Sequence, residues 1–251
     1  MAQKIKVGAV SYLNTKPLIY GFEQGMMNDK IELLFDYPAN IARKLLDNDI
    51  DMGLVPVAAL PKMPEYHIVS NCCIGCNGAV ASVCLFSDVP LHEIKEILLD
   101  YQSRTSVALL KILLQQHWKI TPELVTSQKG FEQQIGGTTA GLVIGDRAFA
   151  QLPKSKYHFD LGSAWKEMTG LPFVFAVWVS NKKLAPDFIA AFSKATAYGL
   201  DNLEAIATAN ATTSFDMLAY YTKFISYRLD DDKQAALKKF LALPGVAAPH
   251  T

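Results

Sequence analysis

Long apolar runs are missing from this sequence, although half of its 251 residues are hydrophobic. No uninterrupted stretch approaches the roughly 18 to 20 residues that a membrane-spanning helix requires, so no helical span is expected. An excess of one charge is missing too: Lys and Arg total 24, and Asp and Glu total 24. With no basic block, neither nucleic acid nor an anionic membrane is an expected partner. An anionic ligand would have to be held locally, by helix N-termini and hydroxyls. His67, His92, His117, His158 and His250 share no spacing that suggests a triad or a metal site, and there is no Gly-x-Ser-x-Gly elbow, which disfavours nucleophilic hydrolysis. Gly136-Gly137 precedes an apolar run and no Gly-Lys-Ser/Thr follows it, so there is no P-loop. The cysteines are few: Cys72, Cys73, Cys76 and Cys84. Cys73-x-x-Cys76 lacks a second Cys or His pair at ligand spacing, and these thiols read as small buried residues beside a strand. Neither metal nor cofactor is expected. Lys4 and Lys6 are followed by too few apolar residues for a secretory signal, which makes the expected location cytoplasmic and the cysteines reduced.

What is present is an α/β rhythm, and it is densest at the start. Ile5, Val7, Ala9 and Val10 form a short apolar run of buried-strand length. Ser11, Asn14 and Thr15 then supply polar groups, and Pro17 stands where a helix begins, since its missing N–H costs nothing there. Such a strand, polar turn and helix start points side chains and free N–H groups into the crevice at the strand's carboxyl end. Asn14 or Thr15 serves as a helix N-cap in the simplest reading.

The rhythm continues with strands expected near Ile31–Phe35 and Ile50–Val57, and between them a helix over Ile41–Leu46 that Asn40 could cap. This βαβαβ order implies parallel pairing through right-handed crossovers. Asp51 reads as a turn residue ahead of its strand. A strand-rich passage, 66–86, ends in the almost wholly apolar run Ala79–Phe86, inside which Ser82 must find a partner, either backbone or ligand. After a short helix opened by Pro90 and Leu91, Ser103, Thr105 and Ser106 crowd the N-terminus of an apolar helix beginning near Val107. About half a positive charge and several unpaired N–H groups converge there. One hydroxyl is a cap; the others suit an oxyanion. Thr139–Ile144 is a strand ending in Gly145, which permits close backbone approach, and Asp146, which either accepts from a ligand hydroxyl or caps the next short helix. A second long apolar strand, 171–178, is followed by a helical remainder. Two strand-like passages, about 79–86 and 171–178, flank a complete α/β segment. They imply two lobes: residues 1–82 plus 176–251 with the helical tail, and residues 83–175, with the chain crossing over twice at a hinge.

Several of these stretches together resemble the chorismate dehydratases of the futalosine route to menaquinone. They are Ser11-Tyr12-Leu13-Asn14 with Pro17-Leu18, Ala81-Ser82-Val83, Asp100-x-x-Ser103-x-Thr105-Ser106, Ile144-Gly145-Asp146, and Thr169-Gly170-x-Pro172-Phe173-Val174-Phe175-Ala176-x-Trp178. The resemblance runs in order from about residue 5 to 180, and the tail adds little. It implies a two-lobed type II periplasmic-binding-protein-like fold, each lobe a mostly parallel sheet flanked by helices. It also implies a lyase without cofactor that removes water from chorismate, a small dicarboxylate, to give 3-(1-carboxyvinyloxy)benzoate. Asn14 and Ser82 match the residues associated with catalysis. Neither is a strong base, so they would orient the substrate while its own enolpyruvyl carboxylate takes the ring proton, with Asp146 the competing base. Ser11, Tyr12, Leu13, Ser103, Thr105, Ser106, Gly145 and Asp146 would bind substrate. A non-catalytic small-anion binding protein of the same fold, and the sister enzyme that releases a dihydroxynaphthoate later in that pathway, are the alternatives.

Overall fold

The computed structural model describes residues 4–246. Among these described residues eleven strands, numbered along the chain, form two sheets. The first contains β1 (Ile5–Val10), β2 (Ile31–Asp36), β3 (Met52–Pro56), β4 (His67–Cys76), β10 (Phe173–Ser180) and β11 (Ser226–Arg228), in the order β11-β4-β10-β3-β1-β2. The second contains β5 (Val83–Ser87), β6 (Glu96–Leu99), β7 (Glu123–Thr126), β8 (Thr139–Ile144) and β9 (Tyr157–Asp160), in the order β7-β6-β8-β5-β9. The expected βαβαβ start is present: β1 pairs parallel with both β2 and β3, joined through helices α1 (Lys16–Glu23) and α2 (Pro38–Leu46). In the second sheet β6 pairs parallel with β7 and β8.

The sheets are mixed rather than mostly parallel. β10 runs antiparallel to β3 and β4, β11 to β4, and β5 to β8 and β9. A strand that carries the chain into or out of a lobe, as β5 and β10 do, enters its sheet without a crossover helix and so is free to run against its neighbours. β10 lies wholly in the first sheet. Phe173, Val174 and Phe175, expected in the second lobe, pair with or continue along β4, so the return crossing precedes them, after helix α5 (Leu161–Thr169). The outward crossing is residues 77–82, a turn and not the first half of a strand.

Other local expectations also shift. Asn40 does not cap α2, which begins at Pro38 with Tyr37 in the cap position; its amide donates to Asp36 at 2.8 Å instead. Residues 94–99 end in strand β6, with only a single helical turn, Leu91–Glu93, after Pro90. Asp51 has the structural role expected of it, accepting the Lys6 N–H at 2.8 Å and pairing with Lys182. The sulfurs of Cys73 and Cys76 are buried, and burial pushes both thiols up. Among the described residues no cluster of His, Cys, Asp or Glu could hold a metal ion, and no helix is long and apolar enough to cross a membrane.

The main core is continuous across both sheets, from Val7 and Leu54 through Trp178 to Leu85, Leu110 and Leu142. The remaining helices are α3 (Arg104–Ile112), α4 (Asp146–Gln151), α6 (Pro186–Leu200), α7 (Leu203–Ala209), α8 (Met217–Ala219) and α9 (Asp231–Leu241). α1 and α6 touch backbone to backbone: a Cβ on Gly21 would stand 2.1 Å from the Ala195 carbonyl oxygen, and one on Gly199 1.8 Å from that of Pro17. α8 continues as a π-helical stretch, Tyr220–Phe224, that leads into β11. There the tail bridges the two sheets, because Phe149 of α4 stacks on Phe215 at 4.5 Å and meets the Tyr220 ring edge-on at 4.9 Å.

Candidate functional site

A cleft of about 60 Å³ lies between the sheets where β1, β3, β4 and β8 end and β10 begins. Its lining of mostly apolar side chains with a few convergent polar groups has the character of a small-ligand site. Val10, Leu54, Ile74, Val80, Ile144 and Phe175 make the apolar walls. Polar groups come from Tyr12, Asn14, Thr15, Ser82, Ser103 and Ser106, and no charged side chain is among the lining residues.

Asn14 reaches the cleft because the chain after β1 does not enter α1 directly. It makes one 3-10 turn, Leu13–Thr15, closed by the Thr15 N–H on the Tyr12 carbonyl at 3.0 Å. Thr15 occupies the cap position of α1, but neither its side chain nor that of Asn14 accepts from the helix. Pro17 removes one N–H that a cap would otherwise serve. The Asn14 amide therefore lines the cleft, where its Oδ1 accepts from the Thr15 hydroxyl at 3.4 Å and its side chain lies beside the Tyr220 hydroxyl. Its backbone is fixed from the tail, where the Tyr227 hydroxyl donates to the Asn14 carbonyl at 3.0 Å.

Ser82 faces Asn14 from the outward crossing. The turn before it is tight: Ala81 has φ +61°, and the Ser82 N–H bonds the Val80 carbonyl at 2.7 Å. A non-glycine residue in the left-handed region costs energy unless its surroundings enforce it. Asp160 enforces it here. Its half-buried carboxylate accepts the N–H groups of Val80 at 2.9 Å and Ala81 at 2.7 Å, and also caps α5 through Ser163 at 3.0 Å. Burial pushes the Asp160 carboxyl up, against the pull of those N–H groups. The partner that Ser82 needs is neither backbone nor solvent: the Tyr220 hydroxyl donates to Ser82 Oγ at 2.6 Å. Tyr220 is buried completely.

At the start of α3, Ser103 is the cap. Its Oγ accepts the Ser106 N–H at 3.1 Å and donates to Ser106 Oγ at 2.9 Å. Both serines line the cleft, beside a first helical turn whose other N–H groups have no intrahelical acceptor. Thr105 does not line it. Its Oγ1 accepts the buried Ala58 N–H at 3.1 Å, which belongs to the 3-10 stretch Val57–Lys62 that follows β3. Gly145 does line it, at φ +63°, and its N–H donates to the Ser82 carbonyl at 2.8 Å. A side chain at 145 would meet the Tyr12 ring at 3.2 Å. Ser11, Leu13 and Asp146 stay outside. Ser11 is exposed in an outer groove with Tyr12 and Asp146. Asp146 accepts the Leu13 N–H at 3.1 Å across the two sheets, and burial raises its pKa.

Tyr12 separates the cleft from that outer groove and lines both. Its hydroxyl donates to Gln102 Oε1, which also accepts from Arg147 at 2.8 Å. Arg147 in turn pairs with Asp100 and Glu132, both at 2.6 Å. Burial pushes the Asp100 carboxyl up to about 6, against the pull of Arg147. The bonds Tyr12–Gln102, Leu13–Asp146 and Ala58–Thr105 each join the first sheet's side to the second's, and they close the cleft.

Tyr220 and Tyr227 are the contributors that sequence reasoning missed. Both lie in the tail beyond residue 180, Tyr220 inside and Tyr227 just after the stretch 217–225 that reads as one more apolar helix. The available signal was three tyrosines, 220, 221 and 227, within eight positions of a buried segment, since buried phenols require partners.

Two mixed sheets joined by two crossings, with a closed cleft between them, define a periplasmic-binding-protein-like fold. Solved structures of that kind align over nearly the whole chain. One from Candida albicans, described as having the generic periplasmic binding protein fold, has a TM-score of 0.64 at 14% identity and covers 100% of this chain and 92% of its own. The aliphatic sulphonate binding protein of Escherichia coli has 0.60 at 16%, covering 96% and 86%. A structural-genomics protein of Archaeoglobus fulgidus has 0.74 at 17%, covering 94% and 95%. The family model for menaquinone biosynthesis matches residues 5–244, and the chain belongs to that family. A chorismate dehydratase of Thermus thermophilus is 27% identical over 263 aligned residues, covering 96% of this chain and 95% of that protein.

Proposed function

We propose that this chain is a hydro-lyase that dehydrates chorismate to 3-(1-carboxyvinyloxy)benzoate, binding it between a lobe built on the first sheet and a lobe built on the second. The observation that carries the proposal is the convergence of Asn14 and Ser82 on one enclosed, largely apolar cleft. The likeness to the Thermus thermophilus dehydratase supports the substrate. In the reaction a proton leaves the ring at C3 and the C4 hydroxyl departs, together as water, and aromatisation drives the step. Asn14 and Ser82 orient the ring, while Tyr12, Ser103, Ser106 and Gly145 contact the substrate. A dianion in this cleft is held by hydroxyls, an amide and the α3 N-terminus, whose hydrogen bonds strengthen once water is excluded. Leu13, Thr105 and Asp146 act by holding the lobes together, and Ser11 lies at the entrance. Because Asp146 is engaged with Leu13 outside the cleft, the substrate's own enolpyruvyl carboxylate is the better-placed base.

The test is incubation of the purified protein with chorismate, with the product followed by mass and absorbance. Binding without conversion would sink the enzyme reading and favour a small-anion receptor. Among Asn14→Ala, Ser82→Ala and Asp146→Asn, the first two should lower kcat at matched substrate saturation. A loss confined to Asp146→Asn would make that carboxylate the base.

A further inference from the structure

The tail reaches the side chain of Ser82 through the Tyr220 hydroxyl. Its ring is held edge-on by Phe149 at 4.9 Å and 87° and by Phe215 at 6.0 Å and 85°. That clamp fixes the phenol against Ser82 Oγ at 2.6 Å. A phenol is the better donor of the two hydroxyls and an alkyl hydroxyl the better acceptor, so the bond has a sense. Tyr220 gives its hydrogen, and Ser82 keeps its own. Among the described residues, Ser82 Oγ has no acceptor for that hydrogen, and Ser82 lines the cleft. A serine hydroxyl on its own rotates freely between donating and accepting; with one lone pair taken by Tyr220, this one has its hydrogen available to donate into the cleft.

We infer that Tyr220 is a positioning residue which fixes the Ser82 hydroxyl as a hydrogen-bond donor to the oxygen that leaves the substrate ring. The inference rests on the dehydratase reading and deepens it. Atoms balance without any transfer from the tyrosine: the ring loses one proton and one hydroxide, these depart as water, and Tyr220 and Ser82 keep their own protons. Such a donor matters most when charge develops on the departing oxygen, so its loss falls on kcat and not on binding.

Tyr220→Phe keeps the ring and its aromatic clamp and removes only the donor. Steady-state kinetics with chorismate should show kcat reduced about 10- to 100-fold with KM within about two-fold, and a melting temperature close to that of the parent protein. In a Ser82→Ala background, adding Tyr220→Phe should change kcat less than two-fold, because the group it orients is already gone; a merely structural role would multiply in that background. Tyr221→Phe, next along the chain and without a hydrogen-bond partner, is the control and should retain full kcat. Undiminished kcat in Tyr220→Phe, full multiplication with Ser82→Ala, or loss of folding would each overturn the inference and leave the dehydratase reading intact. Absence of chorismate turnover by the parent protein would overturn that reading, and this inference with it.

Discussion

Thr105→Val tests the division between residues that touch ligand and residues that close the cleft. The threonine hydroxyl accepts the Ala58 N–H at 3.1 Å, and both residues are buried. Ala58 lies in the first turn of the stretch Val57–Lys62, where an N–H has no intrahelical acceptor. Valine replaces the hydroxyl with a methyl of nearly the same shape, so the packing survives and the acceptor alone is lost. Stranding a buried donor costs about 1–3 kcal/mol. In a chain of this size each kcal/mol lowers the melting temperature by roughly 2–4 °C, so a fall of about 2–12 °C is expected by calorimetry. Because the bond joins the two sides of the cleft, part of the loss appears as easier opening. Amide exchange at Ala58 and over α3 should quicken, and KM should rise only a few-fold. An unchanged melting temperature together with a KM raised 100-fold would refute the reasoning and place the hydroxyl on the ligand.

Three further outcomes follow from particular contacts. Tyr221→Phe removes a buried hydroxyl that has no partner among the described residues and should raise stability to urea by about 1–2 kcal/mol; a loss of stability would mean that the hydroxyl is satisfied in solution. Gly199→Ala drives a methyl into the Pro17 carbonyl, forcing α1 from α6, and should destabilise the fold by at least about 1–3 kcal/mol, read as a lowered urea midpoint. Asp100, pushed up to about 6 by burial, binds its proton more tightly in the folded chain than the ordinary carboxylate of the unfolded one. Its contribution to stability is therefore fully present below the unfolded value near 4 and is lost as pH rises toward 6. Unfolding free energies of the parent protein minus those of Asp100→Asn should fall across that window, and a flat difference would contradict the assignment.

The sequence by itself determined the α/β class, the strand–turn–helix corner at Ser11–Pro17, the Ser103 cap region of α3 and the pause at Gly145-Asp146. These are local matters: apolar periodicity, a proline that cannot donate, hydroxyls at a helix start and a glycine that alone accepts φ +63° comfortably. Sequence did not determine which hydroxyls at 103–106 face the cleft. Ser103, Thr105 and Ser106 look equivalent in the chain, yet Thr105 turns to Ala58, 47 positions away. Nor did it determine strand direction, since β5 and β10 read the same whether they run with their neighbours or against them. The tail was the largest surprise. Nothing local distinguishes Tyr220 from Tyr221 beside it, and its meaning comes from Ser82, 138 residues earlier. Burial strips both hydroxyls of water, so each must find the other, and that constraint exists only once the tail has packed across the two sheets. Tertiary structure alone decided it.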